Sequence, residues 1–290
     1  MKPIMLGLPK GSLQEATFEL MRKAGFAVTA RARSYVPDID DPEIEGRLIR
    51  AQEISRYVEL GVLDAGITGY DWIVENSSDV KEVSELVYSK QGFASVKWVV
   101  AVPERSSIKS VRGLEGKRVA TEAVGITKKL LKSKGVKAQI EFSWGATEAK
   151  VPELADAIVE LTETGSSLRA NKLRVIATVL ESTTRLIANK ASWRDKKKRA
   201  KIEQIAILIE GALAAQGKVL LKMNVRSTKL PAVSAILPSL HAPTISNLNS
   251  NGWAAIETVV PEATVREIIP RLKKAGAEGI VELSLNKIIA

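Results

Sequence analysis

Short apolar runs alternate with amphipathic stretches from the beginning of the chain. Strand-like runs at 4–8, 46–50 and 65–67 are separated by helix-like segments at 13–24 and 54–59. An alternation of strands and helices at these lengths is typical of βαβ units with crossover helices. The pattern therefore predicts an open α/β sheet at the amino-terminal end.

The pattern changes at Ser95–Pro103, where a β-rich run begins a second α/β region. Within this region we expect strands at 113–121, 138–142, 157–161 and 175–179, and helices at 127–134 and 151–154. After Glu181, the apolar run 184–188 and a long helix at 195–215 indicate a return to the first region. Two crossings, near Phe93 and Leu180, predict a two-lobed core like that of periplasmic binding proteins, with a cleft between the lobes.

A third pattern begins at Lys218 and continues to the end of the chain. Its elements follow the order βαββαβ, with strands at 218–225, 243–248, 253–260 and 279–287 and helices at 229–240 and 263–275. This order predicts a ferredoxin-like α+β domain. We therefore expect three parts: a first lobe from 1–93 and 181–215, a second lobe from 94–180, and a terminal domain from 216–290.

The amino-acid composition limits the kinds of metal site and cross-link that the chain can form. The chain has no Cys and a single histidine, His241, so disulfides, thiolate metal sites and a multi-histidine zinc centre are excluded. Any metal is expected to be held by oxygen. No apolar run approaches the roughly 20 residues needed to span a bilayer, and no signal-peptide cleavage site is recognised, which predicts a cytoplasmic protein without a membrane partner.

The formal net charge of +10 favours anionic partners, such as nucleotides or nucleic acid. The densest basic run, Arg194–Arg199, precedes an amphipathic stretch and lacks interleaved aromatic residues. We favour the start of a solvated helix for this run over a contact with a polyanion.

A segment at 148–173 carries the most informative chemistry. The apolar run Ala155–Leu161 contains Glu160, and Glu163 precedes a turn of small and hydroxyl-bearing residues, Thr164-Gly165-Ser166-Ser167-Leu168. Successive backbone N–H groups and hydroxyls in such a turn can hold a phosphate, and an acid before it can meet ribose hydroxyls or a metal. Taken alone, the same residues are also typical of an ordinary turn.

The segment EAKVPELADAIVELTETGSSLRANKL at 148–173 resembles the signature of the ATP phosphoribosyltransferases. The family pattern is approximately LADAIxDLxxTGxTLxxNxL, and this chain departs from it with Glu160 in place of aspartate and Ser167 in place of threonine. The resemblance implies that Thr164–Leu168 hold the 5′-phosphate of phosphoribosyl pyrophosphate and that Glu160 faces its ribose hydroxyls. Both departures preserve the carboxylate or the hydroxyl.

Two further segments support the resemblance. The opening LPKGSL is similar to the family's PxKGxL, which implies that Lys10 reaches substrate phosphate beside Gly11, although a plain strand-to-helix turn has the same residue types. The segment LDAGITGYD at 63–71 is similar to LDxGITGxD, in which Gly69 would admit a flat base or ribose and Asp71 would make a polar contact. A glycine turn with a helix-capping aspartate is the alternative for that segment. Arg47 and Arg50 are further candidate cations of the first lobe.

The terminal domain is similar to that of the long form of the family. This resemblance implies that free L-histidine binds there as a feedback inhibitor, with Thr244 and the backbone near Gly279 among its contacts. Asn224 stands where some relatives have an aspartate that would pair with the amino group of the ligand. Thr244 could equally be a β-branched strand residue without a ligand. AMP is a further candidate ligand, and the resemblance implies dimers that assemble into hexamers.

The implied reaction joins N1 of the ATP adenine to the anomeric carbon of phosphoribosyl pyrophosphate and releases pyrophosphate, the first step of histidine synthesis. Two polyanions meet in it, so lysine, arginine and Mg²⁺ are expected to offset their repulsion, with Mg²⁺ held mainly by the substrate pyrophosphate and by Glu160 as a candidate ligand. A solute receptor and an amino-acid-sensing regulator of nucleic acid are the alternative classes. A receptor would require secretion, and no helix-turn-helix or aromatic-basic groove supports the regulator.

Overall fold

The computed structural model describes residues 2–88, 95–238, 242–249 and 252–289. The chain forms two compact units, Met1–Ile207 and Leu208–Ala290. The expected crossing near Phe93 and the single histidine, His241, lie outside the described residues.

The first lobe of the larger unit is built around a five-stranded sheet. Its elements up to the first crossing are β1 (Ile4–Lys10), α1 (Gln14–Ala24), β2 (Val28–Thr29), β3 (Asp38–Ile39), β4 (Ile44–Arg50), α2 (Ala51–Glu59), β5 (Ala65–Gly69), α3 (Tyr70–Asn76) and β6 (Lys81–Leu86). Strands β4 and β5 pair with β1 in parallel. Leu6 and Leu8 of β1 are fully buried, and because they are two residues apart on a strand they lie on the same face of the sheet.

The second lobe has its own five-stranded sheet. Its elements are β7 (Val96–Pro103), β8 (Arg118–Thr121), α4 (Val124–Lys134), β9 (Gln139–Phe142), β10 (Ala157–Thr162), α5 (Ser166–Ala170) and β11 (Leu173–Ser182), with single 3-10 turns at Val111–Leu114 and Thr147–Lys150. The strand order is β11-β7-β10-β8-β9. Trp98 of β7 lies in the core of this lobe, with Val100, Val119 and Val159.

The chain returns to the first lobe directly after β11. Strand β12 (Thr184–Ala188) inserts antiparallel between β5 and β6, which gives the sheet order β4-β1-β5-β12-β6, and the helices α6 (Lys190–Arg194) and α7 (Lys196–Ala215) follow. Only Thr183 separates β11 from β12, so the second crossing lies at this residue, slightly beyond the expected Leu180. Two sheets joined at such crossings form the two-lobed periplasmic-binding-protein-like α/β core that the sequence predicts.

The smaller unit contains the βαββαβ order. Its elements are β13 (Lys218–Arg226), α8 (Leu230–Ser234), β14 (Thr244–Asn247), β15 (Trp253–Pro261), α9 (Glu262–Ala275) and β16 (Ala277–Ser284). The antiparallel sheet has the order β14-β15-β13-β16, which is the ferredoxin-like arrangement. Met223, Ile256 and Leu272 form part of a core between one face of the sheet and its helices.

Several expected elements differ in the structure. The predicted helix at 151–154 is wrong, because these residues form a turn that contains Pro152, and so short a segment cannot nucleate a helix. Within the predicted helix at 229–240, the described residues form α8, which ends at Ser234, and residues 235–238 are not helical. The short elements β2, β3, β6, α3 and α5 were not expected, since two to seven residues give too little periodicity to identify. In the part of the chain that the structure describes, no helix is both long and apolar enough to cross a bilayer.

Candidate active site between the lobes

A buried carboxylate lies at the junction of the two lobes. Asp71, in the first turn of α3, is only 3% exposed. Its Oδ2 accepts a hydrogen bond from Trp98 Nε1 at 2.7 Å, and its Oδ1 accepts one from Ser182 Oγ at 2.9 Å. Burial raises the pKa of Asp71 above its ordinary value, against the lowering effect of Trp98 and Ser182. Both oxygens are therefore engaged by residues of the second lobe.

Gly69 is explained by the same junction. A Cβ at this position would stand 2.0 Å from Oδ1 of Asp71, so a side chain would displace the carboxylate. The role predicted for Gly69 and Asp71, a contact with substrate, stays a prediction. The geometry gives both residues a structural function in joining α3 to β7 and β11.

The hydroxyl-rich turn after β10 is open to solvent. Thr164, Ser166 and Ser167 are exposed, and Gly165 has a left-handed φ of 71°. The Gly165 amide donates to Thr162 Oγ1 at 2.9 Å, and Thr164 Oγ1 donates to Ser166 Oγ at 3.0 Å. The turn is thus held by its own hydroxyls while its outer face remains accessible to an anion.

Leu168 anchors this turn to the lobe. Its side chain is 2% exposed and packs with Val99, Ala120 and Ile158. A contact between Leu168 and substrate, as the sequence predicts, would therefore have to come from its backbone. On the other side of the turn, the Ser167 hydroxyl donates to Glu148.

Glu160 lies in a partly buried, acidic environment near the end of β10. Burial raises the pKa of its carboxyl, the charges of Glu148 and Glu122 add to the rise, and the Thr147 hydroxyl offsets part of it. The carboxyl also accepts a hydrogen bond from the Leu161 amide at 3.0 Å. Strongly perturbed carboxyl pKa values cluster at functional sites, although structural networks of charges also produce them.

The predicted cations of the first lobe differ in their availability. Lys10 and Arg50 are neighbours in the parallel pairing of β1 with β4, and together they line a cavity of about 450 Å³. The ammonium group of Lys10 lies 4.0 Å from the centre of the Tyr35 ring. Arg47 lies three residues back along β4, where its guanidinium donates to the Glu45 carboxylate and to the Gly46 carbonyl. Lys10 and Arg50 are therefore better placed for an anion than Arg47.

Gly11 follows Lys10 in a left-handed conformation, with φ of 112°. A Cβ at Gly11 would approach Arg50 Nη1 to 3.2 Å. Glycine thus allows the strand to turn tightly while the arginine side chain passes beside the backbone.

Two cavities are lined by residues of both lobes. The smaller, about 120 Å³, has Ser12 and Gly69 of the first lobe in its wall, together with Leu161 and Glu163 of the second. It brings the LPKGSL segment and the start of the hydroxyl-rich turn to a common space, although they are about 150 residues apart in the sequence.

The larger interlobe cavity has a volume of about 710 Å³ and contains residues that the sequence analysis missed. Its lining residues are Arg50, Gln52, Glu53, Trp72, Glu75, Asn76, Glu122, Phe142 and Trp144. Gln52 Nε2 donates to Glu122 Oε1 at 3.1 Å across the cleft. The one signal in the sequence was the Ser-Trp-Gly step after β9, where a large aromatic residue precedes a turn glycine.

A second contact joins the lobes beside this cavity. The Glu75 carboxylate of α3 accepts hydrogen bonds from the amides of Gly125 and Ile126 at 2.7 and 2.8 Å, which are among the first amides of α4. Lys129 Nζ in turn donates to the Val74 carbonyl at 2.8 Å. The Glu75 carboxylate thus lies at the start of α4, and the Lys129 ammonium lies near the end of α3. Both placements are favourable for the helix dipoles.

Among the described residues, no group of three or more His, Asp or Glu side chains is arranged to hold a metal ion. Glu160, with Glu148 and Glu122 near it, has the donor chemistry that a hard divalent cation prefers.

The residues predicted to bind an inhibitor all lie in the smaller unit. Asn224 of β13 and Gly279 of β16 are on adjacent strands, and a Cβ at Gly279 would lie 3.8 Å from Asn224 Nδ2. Thr244 begins β14, which is separated from β13 by β15, and it is exposed. The predicted contact residues thus lie on three strands of one sheet, and their role stays a prediction.

The basic run at 194–199 is the start of a helix, as the sequence favoured. Asp195 accepts hydrogen bonds from the amides of Lys197 and Lys198 in the first turn of α7. Lys198 Nζ also lies 2.6 Å from Asp64 Oδ1, which attaches the helix to the first lobe.

Family models of known proteins match most of the chain. Residues 50–211 match the family described as ATP phosphoribosyltransferase, and residues 215–287 match the family described as HisG, C-terminal domain.

Curated relatives are similar over nearly the full length. An ATP phosphoribosyltransferase from Chlorobium phaeobacteroides is 60% identical over 286 residues, covering 99% of this chain and 97% of the relative. One from Solibacter usitatus is also 60% identical, covering 99% of both chains. Among solved structures, the ATP phosphoribosyl transferase (HisG:HisZ) complex from Thermotoga maritima contains a similar chain with a TM-score of 0.61 and 26% identity, covering 71% of this chain and 98% of that one.

Proposed function

Because this chain belongs to the ATP phosphoribosyltransferase family, we propose that it joins N1 of the ATP adenine to the anomeric carbon of phosphoribosyl pyrophosphate, the first step of histidine biosynthesis. The N1 lone pair forms the new bond to carbon, and the bond from that carbon to the pyrophosphate oxygen breaks. Pyrophosphate leaves with the electron pair, and the product is phosphoribosyl-ATP.

The turn Thr164–Leu168 is assigned to the 5′-phosphate of phosphoribosyl pyrophosphate. Its exposed hydroxyls and the left-handed Gly165 support this role, since they leave donors accessible around one point. Glu160 and Glu163 are assigned to the ribose side of the same substrate. Exposure of the turn is the property that an anion site requires, and a turn packed against protein would exclude it.

Lys10 and Arg50 are assigned to the phosphates that face the first lobe, with Gly11 allowing close approach. Adenine N1 carries its own lone pair, so the reaction needs little help from a general base. Alignment of N1 behind the leaving group, and stabilisation of the charge on pyrophosphate, are the larger contributions expected from the protein. Arg47, Gly69 and Asp71 are assigned to further contacts with the two substrates.

Glu160 is assigned to the electron-poor ribose of the transition state. As the bond to pyrophosphate lengthens, positive charge develops on the sugar, and an ionised carboxylate beside it lowers the energy of that state. The partial burial of Glu160 strengthens such an interaction because the local dielectric is lower than that of water.

Mg²⁺ is the proposed cofactor. Mg²⁺ is typically bound through one or two carboxylates and substrate phosphates, which agrees with a cleft that offers few protein ligands. Glu160 would bind the ion together with oxygens of the pyrophosphate. The ion would neutralise part of the negative charge on the leaving pyrophosphate.

L-Histidine is the proposed inhibitor, bound by the smaller unit through Asn224, Thr244 and the backbone near Gly279, with AMP as a further ligand. An assembly of dimers into hexamers and a cytoplasmic location are also proposed. The similar chain from Thermotoga maritima belongs to a HisG:HisZ complex, which supports assembly in the family.

The observation that carries the proposed function is the small interlobe cavity. Its wall contains Ser12 of the LPKGSL segment and Glu163, the residue directly before the turn Thr164–Leu168. The test is incubation of the purified chain with ATP, phosphoribosyl pyrophosphate and Mg²⁺, with pyrophosphate release and the new ultraviolet-absorbing product followed together. Reactions that lack one substrate are the blanks, and Lys10→Ala is the matched variant.

We expect both signals to require both substrates and to fall by about tenfold or more in Lys10→Ala, as for loss of a charged hydrogen bond. Binding of either substrate without pyrophosphate release would favour the alternative class, a receptor without catalysis.

A further inference from the structure

Trp144 is the most exposed of the large apolar side chains described in the structure. Its side chain is 91% exposed, and the ring centre of Phe142 lies 4.6 Å away in an edge-to-face arrangement. Phe142 is itself 47% exposed. Leaving an indole and a phenyl ring in water is unfavourable, because both bury large apolar areas when a partner is present. The pair therefore points to a ligand for its free faces.

The turn that carries Trp144 is fixed at both ends. Ser143 and Thr147 are buried, and their hydroxyls are hydrogen-bonded to each other at 2.8 Å. Lys150 Nζ donates to Ser143 Oγ at 2.7 Å. Between these anchors, Gly145 and Ala146 both have positive φ, of 132° and 48°. A left-handed alanine is uncommon, and such conformations cluster at ligand sites.

The same anchors connect the turn to the reaction centre. The Thr147 hydroxyl is a hydrogen-bond partner of Glu160, the carboxyl assigned to the ribose. Because Phe142 ends β9 and pairs with Thr121 of β8, and β8 pairs with β10, the aromatic pair and Glu160 lie at the same edge of one sheet. An aromatic ring held here would stand beside the sugar to which the nucleobase is transferred.

The cavity beside the aromatic pair has the size and polarity for a nucleotide. Its volume of about 710 Å³ lies in the usual range for small-molecule sites. Trp72 contributes a third aromatic ring from the first lobe, and the Glu122 carboxylate can accept a hydrogen bond from an exocyclic amino group. Arg50 and Glu53 also line the cavity that contains Lys10, so the two spaces are neighbours. A base among the aromatic rings could therefore direct its phosphates towards Lys10.

We propose that Trp144, supported by Phe142, stacks on the adenine of ATP in the larger interlobe cavity and is a binding residue for the nucleotide substrate. This inference rests on the proposed function and deepens it, since it assigns the acceptor base to a residue outside the family segments used above. The other candidate occupant of an exposed indole, a second protein surface, would not require the adjoining cavity or the carboxylate of Glu122.

The experiment compares the full-length chain with Trp144→Ala and Trp144→Tyr. ATP affinity is measured by equilibrium dialysis without phosphoribosyl pyrophosphate, and KM is determined for each substrate in the complete reaction. Leu60→Ala is the control, because Leu60 is 65% exposed and is not among the residues that line either cavity. Since Trp144 buries so little surface in the protein itself, its replacement should leave thermal stability unchanged.

We expect Trp144→Ala to weaken ATP binding and to raise KM for ATP by at least about fivefold, the effect of losing one base-stacking contact. KM for phosphoribosyl pyrophosphate should stay within about twofold of the parent value, and Trp144→Tyr should recover most of the affinity because it restores an aromatic face.

An unchanged KM for ATP in Trp144→Ala, with normal turnover, would overturn the inference while leaving the proposed function intact. A change in oligomeric mass without a change in ATP affinity would overturn it in favour of a protein contact. If the parent chain neither bound ATP nor released pyrophosphate, the proposed function itself would fail.

Discussion

Gly165 gives the phosphate turn its backbone conformation. With φ of 71°, this position disfavours any residue with a Cβ, and the replacement atom would also lie 2.9 Å from Arg169 Nη1. The backbone amides and hydroxyls of the turn can converge on a phosphate only while this left-handed residue is tolerated.

The first prediction compares two glycines with the same conformation. Gly165→Val should raise KM for phosphoribosyl pyrophosphate by about tenfold or more, because charge-assisted hydrogen bonds to the phosphate are lost. Gly116→Val is the matched control, since Gly116 has φ of 70° with open space around its Cβ position. Each variant should lose about 1–2 kcal/mol of unfolding free energy in urea titrations. Equal KM values in the two variants would contradict the assignment of the turn.

The second prediction concerns the ionisation of Glu160. Burial, with Glu148 and Glu122, raises the pKa of this carboxyl above its ordinary value of 4.5. The ionised form is needed beside the electron-poor ribose, so kcat should fall as pH decreases through the raised pKa. Glu160→Gln should reduce kcat by about a hundredfold, as for loss of one preorganised electrostatic group, and should remove that acidic limb of the pH profile.

The raised pKa of Glu160 also predicts how stability depends on pH: activity should rise with pH, whereas the free energy of unfolding should fall. The folded state holds the proton of Glu160 more tightly than the unfolded state, so stability is greater below this interval and decreases as pH rises from 4.5 to the raised pKa. Glu160→Gln lacks this decrease and should melt at a higher temperature than the parent at neutral pH, with no advantage at pH values below the interval. A Glu160→Gln chain that is less stable than the parent at neutral pH would show that the carboxylate has a structural partner instead.

At the scale of elements, the strongest feature is the attachment of α3 to β7 and β11 through Asp71. Trp98 is 1% exposed, and its indole N–H donates to this carboxylate. A buried donor that loses its acceptor destabilises the fold by the full desolvation penalty of the group. The third prediction follows from this contact.

Asp71→Ala should lower the free energy of unfolding by about 1–3 kcal/mol for the indole N–H alone. Asp71→Asn, which keeps an acceptor for Trp98, should retain more of that stability, and its KM values indicate whether the residue also contacts substrate. Chemical denaturation and steady-state kinetics on both variants provide the measurement. Normal stability in Asp71→Ala would contradict the structural role.

At the scale of the whole molecule, the proposed inhibitor site and the catalytic cleft belong to different compact units. Coupling between them must be reciprocal: if histidine weakens substrate binding, substrate weakens histidine binding by the same factor. Asn224 is neutral at the position where a carboxylate could pair with the α-amino group of the ligand.

The fourth prediction is that Asn224→Asp strengthens inhibition by L-histidine by about tenfold, the effect of adding one charged hydrogen bond. KM values measured without histidine should be unchanged, because the substitution lies in the smaller unit. Thr244→Ala is the comparison variant and should weaken inhibition if this residue also contacts the ligand. Identical inhibition in all three chains would place the histidine site elsewhere.

The sequence by itself determined the class of fold, the family and the position of the hydroxyl-rich segment 164–168 shortly after a strand, although the last three residues of that segment begin helix α5. These follow from local information: strand and helix periodicities, the βαββαβ order, and a run of matching residues in one segment. Short elements such as α5 carried too little periodicity to be predicted, and the predicted helix at 151–154 was wrong because these four residues form a turn that contains Pro152.

Only the tertiary structure decided which side chains share an environment. Asp71 was predicted to contact substrate, but its oxygens meet Trp98 and Ser182, and Ser182 is 111 residues distant in the sequence. Burial raises the pKa of Glu160, and the charges of Glu148 and Glu122 add to the rise because the order β10-β8-β9 and the turn after β9 bring them near. Trp144 became a candidate for nucleotide binding only because it lines a cavity whose other wall belongs to the first lobe. Sequence patterns contain information about residues that are close along the chain. The burial of a side chain and the pKa of an acid depend on residues that only folding brings near.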